Sequence, residues 1–514
     1  MVTTEIRPTA ASWDPPHLER VLEDDLFKPI WELNEVGVPV FKNFLGGAWR
    51  AGEHHTGVDT PIDGSIIAGV PQAGAAEAEA AVSFAHAARR AIRSLAGTQR
   101  IEVFERAAQL LKDHQASFEE ALLLEAGKPS HDRHGEASAA GQRLRATRGE
   151  ARHIYGEYLP GDWAPDTVGK MALVIREPLG VVACIGPFNY PLFIPTAKIT
   201  PALLAGNTVV AKSSSQTPLS LLMLARVLEE SGLPAGTLNV VTGTGGAVGE
   251  ALVRDPRVRM VSFTGSTDVG KRIHALGGLK RFHLELGGKG HAVVFDDADL
   301  QLAAAKSVEG ALKNAGQRCD AVSAVVVQRS VAREFTEAAV QAAQAWSAGD
   351  PRQPATKLGP LISDAAADRV VAMIHDAVAK GATLLTGGER RGRVLTPAVL
   401  SNVTPEMRVA QEETFGPVVP ILDAPDEEAM LQVATRTPFG LDSCVFTRNF
   451  DRMWRAAKRM SCGEVTINDL PKHGIGHFPF GGQRESGMGR EGIGYSIDEM
   501  TELKTIVFTL GPKP

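Results

Sequence analysis

The N-terminal part of the chain shows helical periodicity, because apolar residues recur every three or four positions. Three stretches rich in Ala and Arg follow this pattern, and they predict helices over about 74–96, 98–125 and 133–153. Polar residues fill the other positions, so we expect these helices to pack on one side and to face water on the other. Residues 1–40 are mixed in character and lead to no structural prediction.

The pattern changes at Tyr155. Residues 155–178 predict two strands joined by a turn of Gly, Pro and Asp residues. Short apolar runs then predict buried strands at 181–185, 209–211, 238–241 and 260–263, and the stretches between and after them predict helices at 195–206, 218–231 and 246–253. This alternation favours a parallel, doubly wound sheet. Residues 287–480 repeat it more loosely and indicate a second α/β domain. The last strand, 503–510, is isolated in the sequence and needs a partner, which another subunit could supply.

The composition argues against several classes of protein. Of the 514 residues, 44% are hydrophobic and 22% are charged, which is an ordinary globular composition. The net charge of −6 is spread over well-mixed acidic and basic residues, so we expect no nucleic-acid partner. Four cysteines without zinc-ligand spacing predict no metal site and a reducing cytoplasm. We see no signal-peptide pattern and no apolar run of ~18 residues, and so expect no membrane segment.

Two side chains suggest covalent chemistry. Cys319 follows Gly316-Gln317-Arg318, and the cationic Arg318 would favour the thiolate form of the cysteine. Glu285 lies between two leucines and precedes a glycine pair, and apolar surroundings raise the pKa of a carboxyl group towards that of a general base at neutral pH. The residues alone leave alternatives open, because a lone cysteine is often inert packing and a glutamate is often solvated at a strand edge.

Two loops follow predicted strands and are candidates for ligand binding. Asn189, in Pro187-Phe188-Asn189-Tyr190-Pro191, lies at the carboxyl end of the first strand of the α/β unit, where its amide could hold an oxyanion. The alternative is a turn built on its prolines. Residues 263–270 pass from a strand through a Gly/Ser turn into a helix, whose first N–H groups suit a pyrophosphate. The turn Gly243-Thr244-Gly245 is weaker support, because it lacks the complete dinucleotide fingerprint.

Together these motifs resemble the aldehyde dehydrogenase superfamily. The matching segments occur in the same order over about residues 40–510, and they are 187–191, Lys198, Lys212, 263–270, 285–289, 316–319, 412–417 and 478–482. The resemblance implies oxidation of an aldehyde to a carboxylic acid with NAD(P). Cys319 would then form a thiohemiacetal and a thioester, Asn189 would hold the oxyanion, and Glu285 would activate the hydrolytic water. Lys198 matches a lysine near this proton path.

The resemblance also implies cofactor contacts. They are Glu413 and Phe415 at the nicotinamide ribose, Gly265 and Ser266 at the phosphate turn, Val269 on the adenine side and Lys212 at the adenosine ribose. NAD-preferring members often carry Glu three residues after this lysine, where this chain has the neutral Ser215. Two like charges ~4 Å apart cost roughly 1 kcal/mol in water and about 4 kcal/mol at an effective dielectric of 20. Because Ser215 does not repel a 2′-phosphate, we expect NADP to be preferred, with NAD use left open.

The fold implied is α/β, with three parts. A Rossmann-like cofactor domain would comprise 1–154 and 179–286, an α/β catalytic domain 287–490, and a small β oligomerisation domain 155–178 and 500–514. The last of these would combine the hairpin with strand 503–510 across a dimer. We therefore expect a homodimer or a homotetramer.

Within the superfamily the chain looks most like the non-phosphorylating, NADP-dependent glyceraldehyde-3-phosphate dehydrogenases. That branch binds the substrate phosphate through arginines and a tyrosine, and Arg145, Tyr190 and Arg318 stand at matching positions. Two departures oppose a dianionic substrate: Asp320 replaces a threonine, and His473 replaces an arginine. Asp320 could instead pair with Arg145 or Arg318 and shape an uncharged polar pocket. A general short or aromatic aldehyde is therefore the main reading, and glyceraldehyde 3-phosphate is the alternative.

Two other functions remain to be weighed. An acylating enzyme would pass the thioester to coenzyme A, but Glu285 disfavours this, since such an enzyme need not activate water. A non-catalytic binding protein on the same fold is disfavoured by the intact set of Cys319, Glu285 and Asn189.

Overall fold

The computed structural model describes residues 18–473 and 477–511. The predictions that extend over residues 1–17, 474–476 and 512–514 therefore lie partly outside the described residues. These are the start of the cofactor domain, a short part of the catalytic domain and the end of the oligomerisation segment.

The largest sheet lies in the part predicted to be Rossmann-like. From edge to edge it contains β23 (Gly487–Met488), β13 (Arg281–Glu285), β12 (Val258–Thr264), β9 (Val181–Ile185), β10 (Thr208–Lys212), β11 (Leu238–Val240), β3 (Asn43–Leu45) and β4 (Ala48–Arg50). The strands from β13 to β11 are parallel. Their carboxyl ends therefore meet at one edge, where ligands bind in such sheets.

Both faces of this sheet are buried. Along β9, Val182 and Cys184 belong to one apolar cluster, whereas Val181, Ala183 and Ile185 belong to another on the opposite face. Helices cover both clusters, which explains why these strands read as continuous apolar runs in the sequence. The predicted doubly wound α/β architecture is confirmed.

A second parallel sheet follows in the chain. It contains, in order, β16 (Thr383–Thr386), β19 (Ala398–Ser401), β20 (Val418–Ala424), β15 (Val322–Gln328), β14 (Gly290–Val294), β21 (Asp442–Phe446) and β22 (Glu464–Ile467), and only the β16–β19 pair is antiparallel among its described strands. The looser alternation over 287–480 thus corresponds to a second α/β unit.

The C-terminal strand has its partner within the same chain. β24 (Thr501–Thr509) pairs antiparallel with β8 (Lys170–Pro178), which also pairs with β7 (Glu157–Pro160). The expectation that this strand joins the hairpin across a dimer is therefore wrong. The backbone bond from Leu179 N–H to the Met500 carbonyl, at 3.4 Å, continues the pairing at the root of the sheet.

Two small sheets complete the strands. One contains β1 (Trp31–Leu33), β2 (Pro39–Phe41), β6 (Ile66–Pro71) and β5 (His55–Asp59), and the other pairs β17 (Arg390–Arg391) with β18 (Val394–Leu395). Part of the N-terminal segment without a sequence prediction is thus a strand pair, β1 with β2.

The helices lie between and around the sheets. They are α1 (Glu19–Glu23), α2 (Ala75–Ala87), α3 (Arg89–Ser94), α4 (Gly97–Asp113), α5 (Gln115–Ala126), α6 (Ser130–Arg145), α7 (Thr147–Glu150), α8 (Phe193–Leu204), α9 (Leu219–Glu230), α10 (Glu250–Arg254), α11 (Thr267–Gly277), α12 (Leu300–Leu312), α13 (Ala332–Gln344), α14 (Asp364–Ala379), α15 (Arg408–Gln411), α16 (Glu427–Thr435), α17 (Phe450–Arg459) and α18 (Ile493–Glu499). The helix predicted over 98–125 is divided at His114, whose Nδ1 lies 2.8 Å from Asp24 Oδ2. None of the described helices is long and apolar enough to span a membrane.

Candidate active site

A cavity of about 1180 Å³ opens at the carboxyl edge of the large sheet. Most of the predicted site residues line it: Asn189, Tyr190, Lys212, Ser215, Gly265, Ser266, Val269, Arg318, Cys319, Asp320, Glu413, Phe415 and His473. Three predicted residues, Glu285, Lys198 and Arg145, are not among its lining residues. The cavity thus joins the predicted dinucleotide turns to the predicted nucleophile.

The loop before Cys319 has a constrained backbone. Asn314, Ala315 and Gly316 have successive φ angles of 53°, 54° and 70°, a left-handed run that is costly for residues with side chains. A Cβ atom at Gly316 would lie 2.2 Å from the Gly416 carbonyl oxygen, so only glycine fits there. The Ile362 N–H donates to Gln317 Oε1 at 2.8 Å. These backbone constraints and the hydrogen bond to Gln317 fix the position of Cys319.

Asn189 is fixed to the same loop. Its Nδ2 donates to the Gln317 carbonyl at 2.8 Å, and Asn314 Nδ2 donates to the Asn189 carbonyl at 3.2 Å. The following helix, α8, is held by Glu136, whose Oε1 accepts from the Leu192 and Phe193 N–H groups at 2.9 and 3.0 Å. An amide donor and a sulfur atom are therefore held rigidly on the wall of one cavity.

Cys319 is half-buried and its thiol is difficult to ionise. Burial raises the pKa of the Cys319 thiol well above its ordinary value, and Asp320, Asp442 and Glu285 raise it further, whereas Arg318 lowers it. Arg318 Nη2 lies 2.6 Å from Asp320 Oδ2, and both side chains are buried. Arg318 therefore favours the thiolate, as predicted, but its charge is largely offset by Asp320 and does not overcome the effect of burial.

Glu285 ends β13 behind the cavity wall. Its Oε1 lies 2.9 Å from His283 Nε2, and its Oε2 is buried without a hydrogen-bond partner among the described residues. Burial, with repulsion from Glu491 second, raises the pKa of the Glu285 carboxyl well above its ordinary range. This carboxyl therefore favours its neutral form while it remains in this position.

Lys198 and Glu491 form a buried ion pair beside Glu285. Lys198 Nζ lies 2.7 Å from Glu491 Oε1, and Lys198 also lies 3.3 Å from Ser262 Oγ. The sequence prediction missed Glu491. Glu491 lies shortly after the segment 478–482. Its acidic side chain in a glycine-rich stretch was the feature that could have indicated a site residue.

The adenosine end of the cavity offers donors suited to a phosphorylated ribose. Lys212 Nζ donates to the Ser213 carbonyl at 2.8 Å, and burial lowers the pKa of Lys212 to about 8. Ser213 Oγ is buried and has no hydrogen-bond partner among the described residues. Ser215 is exposed on the cavity wall, and Ser266 is the N-cap of α11. Unsatisfied polar atoms and a helix start therefore fit a dinucleotide here.

The opposite end is fixed by a network around Glu413. Glu413 Oε1 accepts from the Gly288 N–H at 3.1 Å, and burial raises the pKa of this carboxyl. Arg369, which the sequence analysis did not select, donates to the Glu413 and Thr414 carbonyls at 2.8 Å each and also lines the cavity. Phe415 has a φ of 48° and packs edge-on against Phe188 at 5.8 Å. This arrangement fits the ribose contact expected of Glu413.

Comparison with known proteins identifies the family. The sequence model described as the aldehyde dehydrogenase family matches residues 49–506. The chain belongs to the aldehyde dehydrogenase family. It is 36% identical over 471 residues to an NADP-dependent glyceraldehyde-3-phosphate dehydrogenase of Streptococcus equinus, covering 91% of this chain and 99% of the relative. It is 37% identical over 485 residues to an Escherichia coli succinate-semialdehyde dehydrogenase [NADP(+)], covering 92% and 98%.

A solved structure agrees with this placement. The NADP complex of the NADP-dependent glyceraldehyde-3-phosphate dehydrogenase from Bacillus halodurans superposes with a TM-score of 0.89 at 36% identity, covering 91% of this chain and 99% of that chain. The predictions of an aldehyde dehydrogenase and of its fold are therefore confirmed.

The substrate side of this aldehyde dehydrogenase requires a correction. Arg145 is exposed on α6 and donates to the Ala108 carbonyl at 3.5 Å, away from the cavity lining. Arg143, two residues earlier, is buried, lines the cavity and lies 5.5 Å from the Phe193 ring centre. The prediction placed the arginine on the helix that borders the cavity but on the wrong face of it, since a shift of two residues rotates a side chain by about 200°.

The remaining predicted substrate residues lie together. Lys128 Nζ lies 3.8 Å from the centre of the Tyr190 ring. The His473 ring stacks on Phe480 at 4.0 Å, and the backbone N–H of His473 donates to Asp320 Oδ2 at 3.1 Å. Within the described residues, no group of three or more His, Cys, Asp or Glu side chains is arranged to hold a metal ion.

Proposed function

We propose that this aldehyde dehydrogenase oxidises its substrate through covalent intermediates on Cys319 and hydrolyses the thioester with Glu285. The observation that carries the proposal is a single cavity lined by Cys319, Asn189 and the predicted dinucleotide residues, with the buried Glu285 carboxyl behind its wall. A nucleophile, an oxyanion donor and a base are the three groups that this chemistry needs.

Acylation begins at the sulfur. The Cys319 thiol gives its proton to solvent water as the sulfur bonds to the aldehyde carbon, and the Asn189 amide and the Cys319 N–H donate to the oxygen that becomes negative. When bound, the nicotinamide supplies the hydride acceptor that converts the thiohemiacetal into a thioester. The constrained loop keeps the sulfur and the amide in register during this step.

Deacylation depends on Glu285. Its side chain rotates from His283 towards the cavity and takes a proton from water, whose oxygen attacks the thioester carbon. The carbon–sulfur bond breaks, the carboxylic acid leaves, and Cys319 is free again. The raised pKa of Glu285 suits this role, because an ionised carboxylate with a raised pKa is a stronger base than an ordinary one.

We infer that NADP is the preferred cofactor and that NAD remains usable. Lys212, with a pKa of about 8, is mostly cationic at neutral pH, and Ser215 adds no negative charge beside it. Both features favour a 2′-phosphate. The NADP dependence named for the relatives from S. equinus and B. halodurans supports the same choice.

A second candidate narrows the substrate to glyceraldehyde 3-phosphate. Arg318 Nε and Nη1 are buried without hydrogen-bond partners among the described residues, and Arg143 lines the same cavity. These donors suit an anionic group. The relatives are named for anionic aldehydes, glyceraldehyde 3-phosphate and succinate semialdehyde. Asp320 opposes this candidate, because it already pairs with Arg318. A general short or aromatic aldehyde remains the main proposal.

We also propose a cytoplasmic homodimer or homotetramer. The small sheet of β7, β8 and β24 carries a run of exposed apolar side chains, namely Tyr158, Leu159, Leu173, Leu503, Ile506, Val507 and Phe508. An apolar surface of this kind is typical of a subunit interface. Light scattering coupled to gel filtration measures the mass, and a stable monomer would contradict this part of the proposal.

The decisive test is NADPH formation from a panel of aldehydes, with and without coenzyme A. The panel contains short aliphatic, aromatic and anionic members, including glyceraldehyde 3-phosphate. Turnover that does not require coenzyme A is the expected result. Absolute dependence on coenzyme A would indicate an acylating enzyme, and no turnover on any aldehyde would favour a binding protein.

A further inference from the structure

A continuous chain of buried polar groups runs from Glu285 to the far wall of the cavity. The hydrogen bonds run from Glu285 Oε1 to His283 Nε2 at 2.9 Å, from His283 Nδ1 to Ser262 Oγ at 3.2 Å, from Ser262 Oγ to Lys198 Nζ at 3.3 Å and from Lys198 Nζ to Glu491 Oε1 at 2.7 Å. Glu491 Oε2 also lies 2.9 Å from His473 Nε2, an ion-pair contact without hydrogen-bond geometry. All but His473 are at most 2% exposed. His473 lines the cavity, so the chain begins behind Cys319 and returns to the cavity wall.

The strand register explains how His283 comes to lie between Glu285 and Ser262. His283 and Glu285 are two residues apart on β13 and so project from the same face of the sheet. Ser262 is the partner of His283 on the adjacent strand β12. An apolar residue would be the ordinary occupant of a strand position this deeply buried, and a histidine there loses its hydration. This cost suggests a function for the imidazole.

We propose that His283 takes the hydrolytic proton from Glu285 and passes it through Ser262 to the Lys198–Glu491 pair. The inference rests on the proposed function, because it concerns the proton that Glu285 removes from water. Glu285 gives its proton to Nε2 as Nδ1 gives one to Ser262 Oγ. Ser262 gives its own proton to Lys198 as Lys198 gives one to Glu491. Each group in between ends with as many protons as it began with. Although burial opposes it, the charge of Lys198 holds the pKa of Glu491 well below its ordinary value, so Glu491 carries the proton only transiently.

The imidazole has the properties that this transfer needs. Burial lowers the pKa of His283 to about 3, so the ring is neutral and has one N–H donor and one free acceptor nitrogen. With the proton on Nε2 it donates to an ionised Glu285, and with the proton on Nδ1 it accepts from a protonated Glu285. The same side chain therefore supports both forms of the base, and unlike an amide it can take up a proton at one nitrogen while it releases one from the other.

The test uses p-nitrophenyl acetate, because acylation and deacylation of Cys319 by an ester need no cofactor. Nitrophenolate appears first in a burst that counts acylated sites, and then at a steady rate that reports deacylation. His283→Gln keeps an amide donor near Glu285 but cannot relay a proton. The matched control is His291→Gln, a histidine that is equally buried on β14, with a pKa also lowered to about 3, outside this chain of contacts.

We expect the His283→Gln burst to match the wild type and its steady rate to fall by at least about tenfold. In the wild type the steady rate should depend on the D₂O fraction along a curve, because several protons move in the step. In His283→Gln this dependence should be linear. The control should match the wild type in both. If His283→Gln gives too few active sites, Ser262→Ala tests the next link and should lower the rate in the same direction.

The outcomes separate this inference from the proposed function. No burst in the wild-type enzyme would overturn the covalent role of Cys319. In His283→Gln, a normal burst with an unchanged steady rate and a curved D₂O dependence would overturn the proton transfer through His283. It would leave the covalent role of Cys319 untouched.

Discussion

Glu285 and Asp442 are both buried carboxyl groups that raise the pKa of Cys319, and they lie in different surroundings. Each has a raised pKa, caused first by burial and second by a neighbouring carboxylate, which is Glu491 for Glu285 and Asp320 for Asp442. Glu285 contacts His283 and leads into a chain of polar groups, whereas both oxygens of Asp442 are without hydrogen-bond partners among the described residues. Burial alone thus favours the neutral form of a carboxyl group, and in the proposed mechanism the contact with a proton acceptor is what lets Glu285 act as a base.

The ion pairs beside these two carboxyls differ in the same way. Arg318–Asp320 bridges neighbouring residues of one loop, and its anion also binds the His473 N–H. Lys198–Glu491 joins α8 to the C-terminal tail and contacts Ser262 and His473. In the proposed mechanism the first pair lies on the substrate side of the cavity, and the second lies on the path of the hydrolytic proton.

The largest effect that separates the two carboxyls is expected from Glu285→Gln. The amide cannot accept a proton from water, so deacylation should slow by about 10²–10⁴-fold and the acyl-enzyme should accumulate. Intact-protein mass spectrometry after mixing with aldehyde and NADP detects the adduct. Asp442→Asn is the matched control and should turn over normally, because the raised pKa of Asp442 favours its neutral form and neither of its oxygens has a hydrogen-bond partner among the described residues.

A further control fixes the site of the adduct. Cys319→Ser should show neither oxidation nor adduct while binding the cofactor normally in a fluorescence titration. Equal losses in Glu285→Gln and Asp442→Asn, or no adduct in Glu285→Gln, would show that the two carboxyls do not differ as described.

Part of the candidate site could be predicted from the sequence. Cys319 and Asn189 were predicted because each lies in a short motif, and both line the cavity. In addition, the carboxyl ends of parallel strands meet at one edge, which brings the Asn189 loop to the cavity. The hairpin was correctly named as the partner of the C-terminal strand, but in another subunit rather than in the same chain, because the sequence does not show which copy of a distant segment a strand pairs with. The register of α6 failed for a similar reason, since Arg143 and Arg145 differ only in which helix face packs inward.

The electrostatics of the site could not be predicted for another reason. The sequence shows Arg318 beside Cys319 but not the 2.6 Å ion pair in which Asp320 offsets the charge of Arg318. The proposed proton transfer through His283 depends on Ser262 and Lys198. These residues are distant in sequence and become neighbours only when β12, β13 and α8 pack. Motifs identify reacting groups, and tertiary contacts decide how those groups are charged.

An intermediate effect is expected from Asp320→Asn. Loss of this anion frees Arg318 to stabilise the thiolate, so the pKa of Cys319 should fall. Each unit of pKa is worth about tenfold in thiolate at pH 7, and iodoacetamide alkylation should accelerate accordingly. In the wild type the rate should keep rising with pH past the ordinary thiol pKa, whereas in the variant it should level off earlier.

The same substitution has a cost in stability. It leaves the Arg318 guanidinium buried without its counter-ion, which should lower the free energy of unfolding by about 3–5 kcal/mol. Asp442→Asn again serves as the control and should change the alkylation profile much less, because burial raises the pKa of Asp442 and so favours its neutral form. Equal acceleration in both variants would show that Asp442 is ionised in the native protein.

The smallest effect concerns the adenosine end of the cavity, far from either carboxyl. Ser215→Glu should shift the ratio of kcat/KM for NADP over NAD towards NAD by about tenfold, within the 1–4 kcal/mol range for two like charges ~4 Å apart. Ser215→Gln is the matched control, since it adds nearly the same volume without charge. A loss of NADP preference in both variants would assign the effect to volume.

Lys212 supplies the pH dependence of the same preference. Its pKa of about 8 means that it carries its charge below pH 8 and loses it as the pH rises through that value. The wild-type preference for NADP should therefore decline between about pH 7 and 9, whereas NAD binding, which involves no 2′-phosphate, should change little. Titration of both cofactors by protein fluorescence at each pH measures this directly. A preference that stays constant across the range would show that Lys212 does not face the 2′-phosphate, and Ser215 alone would then have to account for the choice of cofactor.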